Sequence, residues 1–196
     1  MSEAWYQLVP GESRITQGDI IFDCPVTCWK AGVTAPAADA DGGLLANIEA
    51  LATDVVVMSQ ACDLEHDKVT NVILCPHQSL ADFKTLWETT IRNANQNPTA
   101  KAWKAVFGDL REGQLWNLSL LNSGDIDGSS IQHRVVDFHE VFSVPRPFLE
   151  TFCRTAGKPR FQLKAPYREH LSQAFARFFM RVGLPTPINE PPAVQA

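Results

Sequence analysis

The chain has 196 residues, 45% of them apolar and 20% charged, with a formal net charge of −5. That composition excludes disordered, collagen-like and coiled-coil classes, and the length predicts one domain able to bury a core without cross-links. The acidic total argues weakly against a protein coated for nucleic acid.

Gly18-Asp19 turns the chain into the apolar run Ile20-Ile21-Phe22, and Pro25 either ends this strand or places it on an edge. Residues 31–43 are small, acidic and turn-rich, and read as a mobile surface loop. Leu44 to Leu51 is open between strand and short helix. Asp54 to Ser59 is a β-branched run expected of a strand covered on both faces, and Thr70 to Pro76 is its expected antiparallel partner across the polar connector 61–68. Leu80, Phe83, Trp87 and Ile91 recur at helical spacing behind Ser79 as N-cap. Trp103, Val106, Phe107 and Leu110 mark a second helix, so 79–112 reads as a helical hairpin inserted between β segments. Strands resume at Leu115–Leu121, a turn-rich stretch fills 122–130, and a long extended segment runs from Gln132 to Val144. Phe148, Leu149 and Phe152 predict a short helix closed by Gly157, and Phe161 and Leu163 alternate in a last strand. A helix over 166–182 begins with Pro166 in its first turn and is capped by Gly183. Residues 186–196 are expected to be a disordered tail, leaving a single domain over 1–185.

No run approaches 18 apolar residues, and the start lacks a basic stretch followed by an apolar core. The five cysteines at 24, 28, 62, 75 and 153 suit reduced thiols, and the expected compartment is the cytoplasm.

Chemistry-bearing residues are scattered. The most unusual stretch is Ser59-Gln-Ala-Cys-Asp-Leu-Glu-His66, in which Cys62 could act as a nucleophile with His66 or a remote histidine as base. The acidic neighbours Asp63, Glu65 and Asp67 disfavour its thiolate, so the alternative is a plug of Cys62 and Leu64 with Asp63 and Asp67 capping the turn. Cys62 with His66, Cys75 with His77, and Cys24 with Cys28 carry zinc-ligand chemistry. The first two pairs, however, fall at opposite ends of the expected hairpin, about 15–17 Å apart at ~3.3 Å per residue. No metal or cofactor is expected. His139 alternates with Phe138 in the extended segment and is a further catalytic candidate.

Charge is unevenly divided. Residues 1–112 hold 8 basic and 15 acidic side chains, net −7, and residues 113–196 hold 9 and 7, net +2; 146–181 alone is +6. Arg146, Arg160, Arg168, Arg177 and Arg181 are the candidate basic face, whose partner is an acidic group of the same chain, an acidic protein or, second to these, nucleic acid. Trp87 and Trp103 on the inserted helices are candidate interface anchors. No membrane partner is expected.

The order of these blocks resembles the MazF/PemK-like growth-inhibitor family. The matching pieces are Gln17-Gly-Asp-Ile-Ile21, Asp54-Val-Val-Val-Met-Ser59, Asn71-Val-Ile-Leu-Cys-Pro76 and the stretch from Val135 to Arg146. The resemblance implies an α+β fold, an SH3-like β-barrel carrying the inserted helical hairpin and a C-terminal helix. The family's ribonucleases open the strand that ends in Ser or Thr with an Arg. Ser59 falls on the hydroxyl position, but Thr53 followed by Asp54 stands where the cation would be, which removes the charge that stabilises a developing phosphorane. The expectation is therefore a non-enzymatic protein-binding adaptor of a bacterial stress or defence system, toxin–antitoxin-like in origin. The alternatives are an endoribonuclease on single-stranded RNA that recruits Arg134 or Arg146 to Ser59 or His139, and a Cys62-centred hydrolase or redox protein.

Overall fold

The computed structural model describes residues 4–33 and 43–180. The expected loop at 34–42, Arg181, Val182, Gly183 and the expected tail 186–196 lie outside the described residues.

The elements follow in the order β1 (Tyr6–Val9), β2 (Asp19–Trp29), α1 (Gly43–Ala46), β3 (Ile48–Val57), α2 (Ala61–Glu65), β4 (Asn71–Ser79), α3 (Leu80–Asn93), α4 (Ala100–Arg111), β5 (Leu118–Leu121), β6 (Gly124–Ile126), β7 (Ser129–Ile131), β8 (Arg134–Asp137), β9 (Phe142–Pro145), α5 (Arg146–Ala156), β10 (Arg160–Leu163) and α6 (Tyr167–Phe179). The main sheet is antiparallel in the order β1-β10-β2-β3-β4-β8-β5, with β9 also on β4. The fold is mixed α+β.

The sheet is open among the described residues, so the expectation of a closed barrel is not met: β1 and β5 share no ladder. The two edges nevertheless approach. The Tyr6 hydroxyl donates to the Asn122 carbonyl at 2.7 Å, just past the end of β5, and the β6–β7 hairpin lies beside β1, where a Cβ on Gly124 would be 3.0 Å from the Tyr6 ring.

Strict alternation splits the core into two layers. Ile20, Val56, Cys75, Val136 and Phe138 face one side, covered by Leu171 and Phe175 of α6. Ile21, Val55, Val57, Val72 and Leu74 face the other, covered by Leu149 and Cys153 of α5 and by Leu64 of α2. The β-branched run is thus buried on both faces, as its composition demands.

Pro25 sits on an edge rather than ending its strand. It pairs with Ala52 in a ribbon that continues to Trp29 opposite Ile48, and β10 pairs with β2 only at Asp19 and Ile20. No partner on that side needs the missing N–H. A register shift between Ile21 and Cys24, with Asp23 at φ 52°, starts this ribbon.

The 54–59 and 70–76 runs pair as expected, Val56 opposite Cys75. The segment 132–144 lies extended along β4 as β8 and β9, broken at 138–141. The turn-rich 122–130 stretch folds into the β6–β7 hairpin around Asp127-Gly128, both with positive φ.

Ser79 caps α3 by accepting from the Asp82 amide at 3.0 Å, and Thr99 caps α4 in the same way. α3 buries no residue, and α4 buries Leu110. No helix among the described residues is long and apolar enough to cross a membrane.

Candidate functional site

Three segments converge on an open cleft of about 550 Å³: the loop after β1, the loop after α2 and the first turn of α5. Each is fixed from below. Arg160, buried on β10, donates to the carbonyls of Gly11 (2.6 Å) and Ser13 (3.0 Å) and to the buried Asp19 carboxylate (3.1 Å), so one guanidinium holds the 10–14 loop in shape. Gly11 permits that packing, because a Cβ there would lie 3.0 Å from the Lys158 carbonyl oxygen and 3.1 Å from that of Cys153. Leu64, fully buried, anchors α2 and the loop behind it. The Arg146 amide donates to the Thr70 carbonyl at 2.9 Å and sets the start of α5.

The side chains in the cleft alternate in charge. Arg14 donates to the Glu65 carbonyl at 3.0 Å and to Asp67 Oδ1 at 2.5 Å. Arg146 donates to the same Oδ1 at 2.5 Å and, through Nε, to Glu150 at 2.8 Å. The hydrogen bonds from Arg14 and then Arg146 hold the Asp67 carboxyl below the usual carboxylate range. Asp67 itself is in left-handed backbone at φ 54°. Glu12, Arg154, Val69 and Pro147 complete the lining.

The catalytic candidates from the sequence lie apart. Ser59 is buried, and its Oγ accepts from the Ile73 amide at 2.8 Å, tying β3 to β4. Cys62 is exposed on α2, with Sγ 3.8 Å from the Asp63 carboxylate, whereas Leu64 is the residue that plugs the core. His139 is exposed, with Nδ1 3.2 Å from Asp137 and 3.3 Å from the Asn117 amide nitrogen, and its ring packs edge-on against Phe178.

Thr53 pairs with Cys24 in the ribbon, and the neighbouring Asp54 takes a cation from elsewhere: Arg134 bonds its carboxylate. Arg134 Nε also donates to His77 Nδ1 at 2.9 Å, and the Phe22 ring lies 5.3 Å from the guanidinium. Burial, and next the Arg134 charge, push the His77 imidazole down to about 3. Arg134 and Arg146 are thus each engaged with carboxylates, and neither is among the contacts of Ser59 or His139.

Burial raises the thiols of Cys24 and Cys75 to about 12 and that of Cys153 to about 11. Among the described residues no group of three or more His, Cys, Asp or Glu is placed to hold a metal ion.

The basic segment does not form one face. Arg146 and Arg160 are buried and engaged, and Arg168 pairs with Glu169 at 2.6 Å. Arg177 lines a 140 Å³ depression with Arg111 and Trp116. Trp87 and Trp103 pack against each other at 5.4 Å between half-buried Phe83 and Phe107, forming the hairpin's own small core. Arg14, Asp67, Glu150 and Arg154 carry the cleft and were not singled out by sequence pattern; a turn signal at Pro10-Gly11 was the visible trace of it. Compared with family models, curated proteins and solved structures, the chain has no match.

Proposed function

We propose that this chain is a non-enzymatic protein-binding module of a bacterial stress or defence system, built on a degenerate MazF/PemK-like sheet of SH3 type, and that its binding face is the Arg14–Asp67–Arg146 cleft. One observation carries the reading: hydroxyl, thiol and imidazole candidates stand in separate neighbourhoods with no free cation beside any of them, whereas three arginines and three carboxylates share one open cleft. Phosphodiester cleavage without a metal needs a base, a nucleophile and a charge donor within hydrogen-bond reach of one another. A cleft of alternating charge suits a polar protein surface, where complementarity sets partner choice and register.

The test is purification of the full chain from its native cells under gentle salt. A stoichiometric protein partner is the expected result, and recovery of the chain alone overturns the reading. The exposed His139–Asp137 pair favours a second reading, a ribonuclease with His139 as base. Single-stranded RNA that stays intact with purified protein removes it, and cleavage abolished by His139→Ala establishes it.

A further inference from the structure

We propose that Asp67 is the built-in occupant of an oxyanion site, and that a phosphorylated side chain on a protein partner displaces it from Arg14 and Arg146. This deepens the binding-module reading and rests on it.

Asp67 makes poor use of its donors. Both guanidiniums converge on the single oxygen Oδ1, and the carboxylate is otherwise open to solvent, with 68% of the side chain exposed. Arg146, by contrast, is 10% exposed and pinned through Nε to Glu150, so its remaining donors are held in place whatever occupies the cleft. Arg154 stands on the same rim, with one Nη on the Thr151 hydroxyl at 3.1 Å. No side chain caps α5, an 11-residue helix whose first-turn residues Arg146 and Pro147 line the cleft, so the positive end of its dipole adjoins the site.

A phosphate monoester fits this arrangement better than Asp67 does. It carries about −1.5 to −2 charge near neutrality and presents three acceptor oxygens, enough to give each arginine its own. Asp67 holds the site by tethering alone: its loop delivers the carboxylate at high effective concentration.

The flanking residues favour a peptide over a nucleic acid. Glu12 and Glu150 line the same cleft. They would repel the diester phosphates on either side of a nucleotide, and they would attract lysine or arginine next to a phosphorylated serine or threonine.

The experiment titrates inorganic phosphate, followed by calorimetry, into the full chain and into Asp67→Asn. Asparagine tolerates left-handed backbone, so the substitution removes the charge without straining the loop. The expected result is at least about tenfold tighter phosphate binding by Asp67→Asn, a gain lost again in Arg14→Gln/Asp67→Asn. Arg14 and Asp67 are both largely exposed, so neither change opens the core. Equal binding by the wild type and Asp67→Asn, or a gain that survives loss of Arg14, overturns the proposal. In a second arm, a phosphoserine peptide flanked by lysines is expected to bind more tightly than the same peptide flanked by glutamates or a 5′-phosphorylated oligonucleotide. Preference for the oligonucleotide overturns it. A stoichiometric native partner whose capture is indifferent to both phosphate and Asp67→Asn sinks the exchange while leaving the binding-module reading standing.

Discussion

Mild acid should loosen this fold through one side chain. His77 is buried between β3 and β8, its Nδ1 accepting from Arg134 Nε, with the Phe22 ring 5.7 Å away edge-on and the Asp54 carboxylate on the far side of the guanidinium. A proton on Nδ1 would break that bond and set two cations against each other in a site with little water. Burial is the larger cause and the Arg134 charge the next; together they outweigh the Val55 carbonyl, which works the other way, and bring the folded value down to about 3. An unfolded histidine titrates near 6.5. The folded value lies below the unfolded one, so stability is intact above about pH 6.5 and falls as the pH drops toward 3. At pH 5 the unfolded chain binds this proton and the folded chain does not, a gap of about 1.5 pH units, or about 2 kcal/mol. Buried Asp19, raised by desolvation against the opposing Arg160 charge, contributes with the opposite sign and at lower pH. Urea unfolding at pH 7.5 and pH 5 measures the loss, and His77→Asn supplies the comparison. Asparagine keeps an acceptor near the Nδ1 position but does not titrate, so its curve should start lower and lose about 2 kcal/mol less between the two pH values. Parallel losses in both proteins would refute the assignment.

Three further substitutions test how the cleft and sheet are held. Leu64→Ala, at a fully buried site under α2, is expected to cost about 2–5 kcal/mol in chemical denaturation, and a cost below ~1 kcal/mol would mean that α2 collapses to fill the gap. Gly11→Ala places its methyl against two backbone carbonyls that cannot rotate away, so about 1–3 kcal/mol should be lost in thermal unfolding. Ser59→Ala leaves the Ile73 amide without its acceptor and should cost about 1–2 kcal/mol, measured by denaturant midpoint; an unchanged midpoint would argue that the hydroxyl serves something other than the β3–β4 tie.

Much of the architecture was legible in the chain because it rests on local rules. The run Val55-Val56-Val57 admits no solvated face and is buried on both sides; Ser79 three residues before Asp82 announces a cap and provides one. Gly157 closes α5 at φ 61°. Where local rules gave two answers, tertiary context chose. Pro25 continues its strand because β10 turns away after pairing with Ile20 and leaves that edge without a partner. Asp127-Gly128 carried a two-residue hairpin signal that the surrounding polar residues obscured. Closure of the sheet was beyond reach, since it depends on whether β1 and β5 meet in register, and in this fold a tyrosine hydroxyl and a separate hairpin stand between them.

The site was hidden for a different reason, one built into reading charge by segment. Counting 146–181 as +6 treats its arginines as one surface, yet a guanidinium reaches several ångströms and takes its partner from wherever the fold brings a carboxylate. Arg160 finds Asp19, Arg146 finds Asp67 and Glu150, and Arg134 finds Asp54, two of these partners lying in the acidic first half of the chain. With Asp67 and Asp54 they span 79 and 80 residues. The opposite charges of the two halves are therefore spent in part on joining the halves together, and desolvated pairs of this kind hold register rather than add bulk stability. What remains for a partner is the pairing left most exposed and least well matched, Asp67 shared between Arg14 and Arg146. A ligand gains most where it replaces a strained intramolecular contact with a better one, and by that criterion the cleft outranks every fully buried pair in the molecule.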